Sequence, residues 1–261
     1  MITIQNYVRA QSLEEAYTLN QNKRSRVIGG MLWLKMGSGT VHTAIDLCDL
    51  GLDTIEETEE QFTLGAMVSL RQLETHPGLN AYTQGAMAAS LRDIVGVQFR
   101  NLATLGGSIF GRFGFSDVLT MFQSLDCWVQ LYKGGLVPLE EFARQKKDRD
   151  ILVSIIVKKR KGRFAYQSVR NARTDFPVLA CAASCVDGEY RLSVGARPGR
   201  AVVLRDEKKL LTDGLTEESI AAFADFAAEN IPTEDNLRGS AAYRTHLIRV
   251  LTSRCLTQLG G

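Results

Sequence analysis

Apolar and polar residues alternate along Ile2 to Val8, which predicts an entering strand, and the spacing turns helical over Leu13 to Asn20. Ser12, with Glu15 three residues on, has the form of a capping box at that helix's start. Arg26-Val27-Ile28 reads as a short strand stopped by Gly29-Gly30, ahead of the apolar Met31-Leu32-Trp33-Leu34. Strands follow at His42 to Leu47 and Phe62 to Ala66. The acidic run Glu56 to Glu60 between them suits a solvated hairpin tip. A short helix over Ser69 to Thr75 is broken at Pro77-Gly78, and Gln84 to Leu91, extended by Ile94-Val95, forms another. Cys127 to Leu131 is a strand stopped at Gly134-Gly135, Pro138 to Phe142 turns into a short helix, and the β-branched run Asp150 to Val157 predicts a buried strand. The basic tract Lys158 to Arg163 carries a glycine and reads as a solvated hairpin turn. Beyond it come strands at Phe164 to Val169, Val178 to Val186 and Glu189 to Ala196, then two amphipathic helices, Glu217 to Asn230 and Ser240 to Leu259. The pattern is that of an α+β fold.

The stretch Arg100 to Asp126 breaks this regularity, with four glycines in nine positions: Gly106, Gly107, Gly111 and Gly114. Glycine lets backbone N–H groups approach a ligand closely, so a loop of this kind running into a helix could cradle an anionic group. Ser116 and Asp117 stand where the helix would be capped, and Val118, Leu119, Met121, Phe122 and Leu125 recur at helical spacing as far as Asp126. An ordinary glycine-rich loop in a packed α+β domain accounts for the same residues.

Composition narrows the chemistry. The 261 residues carry a net charge of +2, which gives no basis for a nucleic-acid partner. No apolar run reaches the roughly 20 residues of a membrane span, and the opening residues hold no hydrophobic signal region, so the expected location is cytoplasmic and off the membrane. Cys48, Cys127, Cys181, Cys185 and Cys255 are odd in number and match no metal or iron-sulfur spacing; His42, His76 and His246 lie far apart. Neither a metal site nor a catalytic residue is predicted.

Several segments together carry a resemblance. Val27-Ile28-Gly29-Gly30, Arg100 to Ile109 (RNLATLGGSI), Asp117 with Gln123 to Cys127, Gly195-Ala196-Arg197-Pro198 and Gly239 to Arg244 (GSAAYR) occur in the order found in the FAD-binding subunit of the molybdenum hydroxylases, the family containing xanthine dehydrogenase and carbon monoxide dehydrogenase. The resemblance spans essentially the whole chain. It implies a two-lobed, PCMH-type FAD-binding domain over 1–160, with lobes of about 1–54 and 55–160 and FAD extended between them. A C-terminal domain of the carbon monoxide dehydrogenase flavoprotein type, a small sheet backed by helices, would follow over 161–261.

The same resemblance implies the site. Ile28, Gly29, Gly30, Met31, Leu32, Trp33 and Leu34, with Thr104, Gly107 and Ser108, would hold the pyrophosphate and ribityl regions, and Phe110, beside Gly111, would lie near the flavin ring. Asp117, beside Ser116, would bond a ribose hydroxyl or orient the second loop. Three positions depart from the family pattern. Met31 replaces a common threonine, Ser108 a usual asparagine, and Gln167 a lysine near the ring, a change expected to lower the flavin's reduction potential. The implied function is electron transfer, from an iron-sulfur subunit fed by a molybdopterin subunit, both on separate chains, to NAD or another acceptor. The alternative is a non-catalytic scaffold of such a complex.

Overall fold

The computed structural model describes residues 1–261. In chain order its elements are β1 (Ile2–Arg9), α1 (Leu13–Asn20), β2 (Ser25–Ile28), a 3-10 turn (Leu34–Met36), β3 (Gly39–Asp46), β4 (Ile55–Glu57), β5 (Gln61–Gly65), α2 (Leu70–Thr75), α3 (Pro77–Tyr82), α4 (Ala86–Leu91), α5 (Val97–Leu102), α6 (Leu105–Phe110) and α7 (Asp117–Phe122). There follow β6 (Cys127–Leu131), β7 (Gly135–Pro138), α8 (Leu139–Arg144), β8 (Leu152–Lys158), β9 (Gly162–Arg170), β10 (Pro177–Val186), β11 (Glu189–Gly195), β12 (Val202–Arg205), α9 (Glu217–Asn230) and α10 (Ala241–Gly260). No helix is long and apolar enough to cross a membrane.

Two compact units form, each from three stretches of chain: 1–72, 97–111 and 127–158 in the first, 73–96, 112–126 and 159–261 in the second. In the first unit β1 and β2 run parallel to the central β3, and Ala16 of α1 packs with Ile45, Leu47 and Ile151. A second cluster joins Ile28, Val41 and Ala44 to Ile2, Ile4, Met31 and Leu34. The other sheet of this unit has the order β4-β5-β8-β6-β7 and is antiparallel throughout.

The second unit is built on the antiparallel sheet β12-β11-β10-β9. Eight successive residues of β10 are buried, as a strand covered on both faces requires, and small side chains at Ala180, Ala182, Ala183 and Ser184 leave room for the covering layers. Phe223, Ala227, Leu247, Leu251 and Cys255 of α9 and α10 pack with Ala165, Leu179, Cys181 and Val194 of the sheet. Thr216 caps α9, reciprocally with Ser219, and Ser240 caps α10.

The helix before Pro77 ends at Thr75 as expected, and Pro77 also opens α3 in the first turn, where its missing N–H costs nothing, with His76 as the cap. Three sequence expectations change. Glu15 takes the N–H of Gln11 and not that of Ser12, so the box at α1 is offset by one residue. The tract Lys158 to Arg163 is not a hairpin turn, because β8 and β9 belong to different sheets. Arg160 is tied instead to Asp126 at 2.7 Å and Asp187 at 3.4 Å. The glycines at 106 and 107 lie within the short helix α6 and not in an open loop, because Thr104 caps that helix.

Candidate functional site

The first unit brings the two glycine segments of the sequence into contact. After β2 the chain passes Gly29 and Gly30 and enters a left-handed residue, Met31, at φ 58°. The turn closes with bonds from Lys35 N to Met31 O at 2.9 Å, Met36 N to Trp33 O at 3.2 Å and Gly37 N to Leu34 O at 3.1 Å. The N–H groups of Gly29, Gly30, Met31 and Leu32 take no part in that closure, which leaves this corner rich in backbone donors.

The second segment supplies shape. A Cβ on Gly30 would overlap the Leu102 carbonyl oxygen, and one on Gly29 would sit 2.5 Å from Thr104 Oγ1. Both positions therefore need glycine to let the two segments meet. Trp33 closes the contact edge-on to Phe99, with ring centroids 5.7 Å apart.

The donors of the second segment have partners within the protein. Leu105 N bonds Val68 O at 2.8 Å, Gly106 N bonds Ala66 O at 2.7 Å, Gly107 N bonds Thr104 Oγ1 at 3.2 Å, and Ser108 N bonds Thr104 O at 3.1 Å. Ser108 Oγ also donates to Thr104 O at 3.0 Å. Gly106 is buried against Ala66, but Gly107 is exposed, and a Cβ there would meet only Thr104 Oγ1, at 3.1 Å. Gly29 and Gly107 thus approach one hydroxyl, that of Thr104. Phe110, half-buried, packs on Phe142 at 6.0 Å, and Gly111 ends α6 by bonding Gly107 O.

The remaining candidates lie in the second unit, where they have structural partners. Ser116, not Asp117, is the N-cap of α7, its Oγ taking the N–H of Leu119 at 3.0 Å. Asp117 is buried. Its Oδ1 accepts from the Tyr166 phenol and, at 2.6 Å, from Arg170 Nη2. Burial pushes the Asp117 carboxyl up from its ordinary value, against the pull of Arg170. Burial likewise pushes the Tyr166 phenol up, with Asp117 adding to it; Arg170, whose own burial acts the other way, is held above its ordinary value by Asp117.

Gln167 alternates with Tyr166 and Arg170 on β9 and so faces the other side of the sheet, where its Nε2 donates to Gln258 Oε1 of α10 at 3.2 Å. Gln167 and the two partners of Asp117 thus lie on opposite faces of β9.

Sequence reasoning missed Tyr166 and Arg170, although a buried aspartate needs a counter-charge, and the alternation of β9 puts both on one face. It also left Arg244 without a role. That side chain is fully buried and binds five acceptors: Val178 O at 2.9 Å, Ala196 O at 3.2 Å, Glu234 O at 2.8 Å, Gly239 O at 2.5 Å and Asn236 Oδ1 at 2.7 Å. Ala196 N in turn bonds Gly114 O at 2.7 Å, and a Cβ on Gly195 would overlap the Thr120 side chain. The last two motifs of the sequence thus meet at Arg244 and lock the end of the central glycine stretch.

Residues 2–159 match the FAD binding domain in molybdopterin dehydrogenase, and residues 164–259 match the CO dehydrogenase flavoprotein C-terminal domain. Among curated proteins, the chain is 26% identical over 255 residues to the uncharacterized protein YgfM of Escherichia coli (strain K12), covering 96% of this chain and 94% of that one. It is 23% identical over 276 residues to the nicotine 6-hydroxylase medium subunit of Paenarthrobacter nicotinovorans, covering 97% and 96%. A chain of carbon monoxide dehydrogenase from Hydrogenophaga pseudoflava has the same fold, with a TM-score of 0.87 at 22% identity over 97% of this chain and 96% of that one. This chain belongs to the family of FAD-binding domains of the molybdopterin dehydrogenases, and its cofactor is FAD.

Proposed function

We propose that this chain is the electron-transfer subunit of a multi-subunit molybdenum hydroxylase, taking electrons from an iron-sulfur subunit and passing them to NAD or another acceptor. The observation that carries the reading is the uncommitted donor corner at Gly29 to Leu32, pressed by glycine against the Thr104 segment. An FAD pyrophosphate is doubly anionic and needs several N–H donors at close range, which this corner offers without a lysine or a metal. Ile28 to Leu34 are assigned to it, with Thr104, Gly107 and Ser108 shaping the opposite wall and Phe110 and Gly111 beside them. Ser116 and Asp117 are assigned to holding the start of α7. Bound FAD supplies a ring that takes up electrons singly and releases them as a pair.

The names of relatives support the quaternary part of this reading: one is a medium subunit, and another is a putative xanthine dehydrogenase FAD-binding subunit, XdhB, of Escherichia coli (strain K12). We also place the division between the two domains at 160/161. The two family matches, which end at 159 and begin at 164, support that placement, although compactness divides the chain differently. The test is to purify the complex through a tag on this chain and add NADH without oxygen. Bleaching of the flavin spectrum in a preparation that contains iron-sulfur and molybdopterin subunits is expected; a complex without flavin would overturn the reading.

A further inference from the structure

We infer that Met31 is a positioning residue for the FAD pyrophosphate, acting through the packing of its apolar side chain, which holds the backbone turn. This rests on the assignment of the 28–34 segment to the pyrophosphate. The loss of a hydroxyl at this position reads, in sequence alone, as a donor removed. The structure shows what stands there instead. Met31 holds a left-handed φ of 58°, a conformation that side-chain-bearing residues seldom adopt, directly after two glycines that would reach it more easily. Its side chain packs on the cluster of Ile28, Val41 and Ala44, together with Leu34 from three residues further on. Its carbonyl accepts from Lys35 N at 2.9 Å.

The unbranched thioether therefore ties the corner to the sheet beneath it. With the side chain seated, the backbone turn that leaves the N–H groups of 29 to 32 out of the loop's own closure is held before any ligand arrives. A preformed cradle loses less freedom on binding and so binds more tightly. A glycine at 31 would adopt the same φ without strain but would leave the apolar cluster unfilled and the corner free to rearrange. A leucine would keep the anchor.

The experiment measures FAD affinity by quenching of flavin fluorescence on the full chain, with thermal unfolding of each flavin-free protein alongside. Met31→Gly is expected to weaken FAD by about tenfold or more, an ordering cost of the size seen when a binding loop loses its preorganisation. Met31→Leu should bind within about threefold of the unchanged chain, since it preserves volume and apolarity. Met31→Gly binding FAD as tightly as the unchanged chain, or Met31→Leu failing as badly as Met31→Gly, would overturn the inference. Gly107→Val separates the two levels. If it loses FAD while Met31→Gly does not, only the positioning role fails; if it keeps FAD, the assignment of the loop pair fails and the positioning role with it.

Discussion

Thr104 is the residue on which two glycines depend, because its Oγ1 caps α6 through Gly107 N and stands 2.5 Å from where a Cβ on Gly29 would lie. Gly30 has still less room, since any side chain there meets the carbonyl of Leu102, a backbone atom that cannot swing aside. Gly30→Ala should therefore cost about 1–3 kcal/mol, as overpacking does, and lower the Tm of the flavin-free chain by roughly 5 °C. Thermal unfolding checks this, and an unchanged Tm would mean that the two segments are not in contact. Gln167 gives a prediction of the opposite kind. Its amide is engaged with Gln258, so Gln167→Lys should leave the flavin's reduction potential where it was; a rise in a redox titration would place residue 167 at the ring.

Among elements, α7 is held by charge and β10 by burial. Asp117 sits in the first turn of α7 with both its partners on β9, and removing one member of a buried ion pair strands the other. Arg170→Ala should destabilise the chain by about 3–5 kcal/mol, and Tyr166→Phe by about 1–3 kcal/mol, both read from urea unfolding. Equal and small effects would show that the carboxyl is satisfied in some other way. The sequence made the terminal helices plain, since α9 and α10 carry long amphipathic runs behind Thr216 and Ser240. The gap it left between the strands ending at Val186 and beginning at Glu189 is a turn whose two residues, Asp187 and Gly188, both have positive φ. The sequence hid α6, whose glycines are poor helix formers held by bonds to Ala66 and Val68, far off in sequence. It hid the edge strand β12, four residues long, and the ties of Asp117, which span 49 and 53 residues. Arg244 was illegible for a related reason: four of its five acceptors are backbone carbonyls, which no side-chain pattern announces.

For the whole molecule, the match to two curated relatives runs over nearly the full length on both sides. The part proposed for this chain rests on whether the corner at Gly29 to Leu32 holds the cofactor. Gly107 offers the cleanest access to that question. It is exposed, and a Cβ there meets only the Thr104 hydroxyl, at 3.1 Å. Substitution should thus spare the fold while raising a wall beside Gly29. The measurement is the flavin content per chain of Gly107→Val, purified alongside the unchanged protein and matched to it in thermal unfolding. Near-complete loss of FAD at an unaltered Tm is the predicted result, and full flavin occupancy would contradict the account.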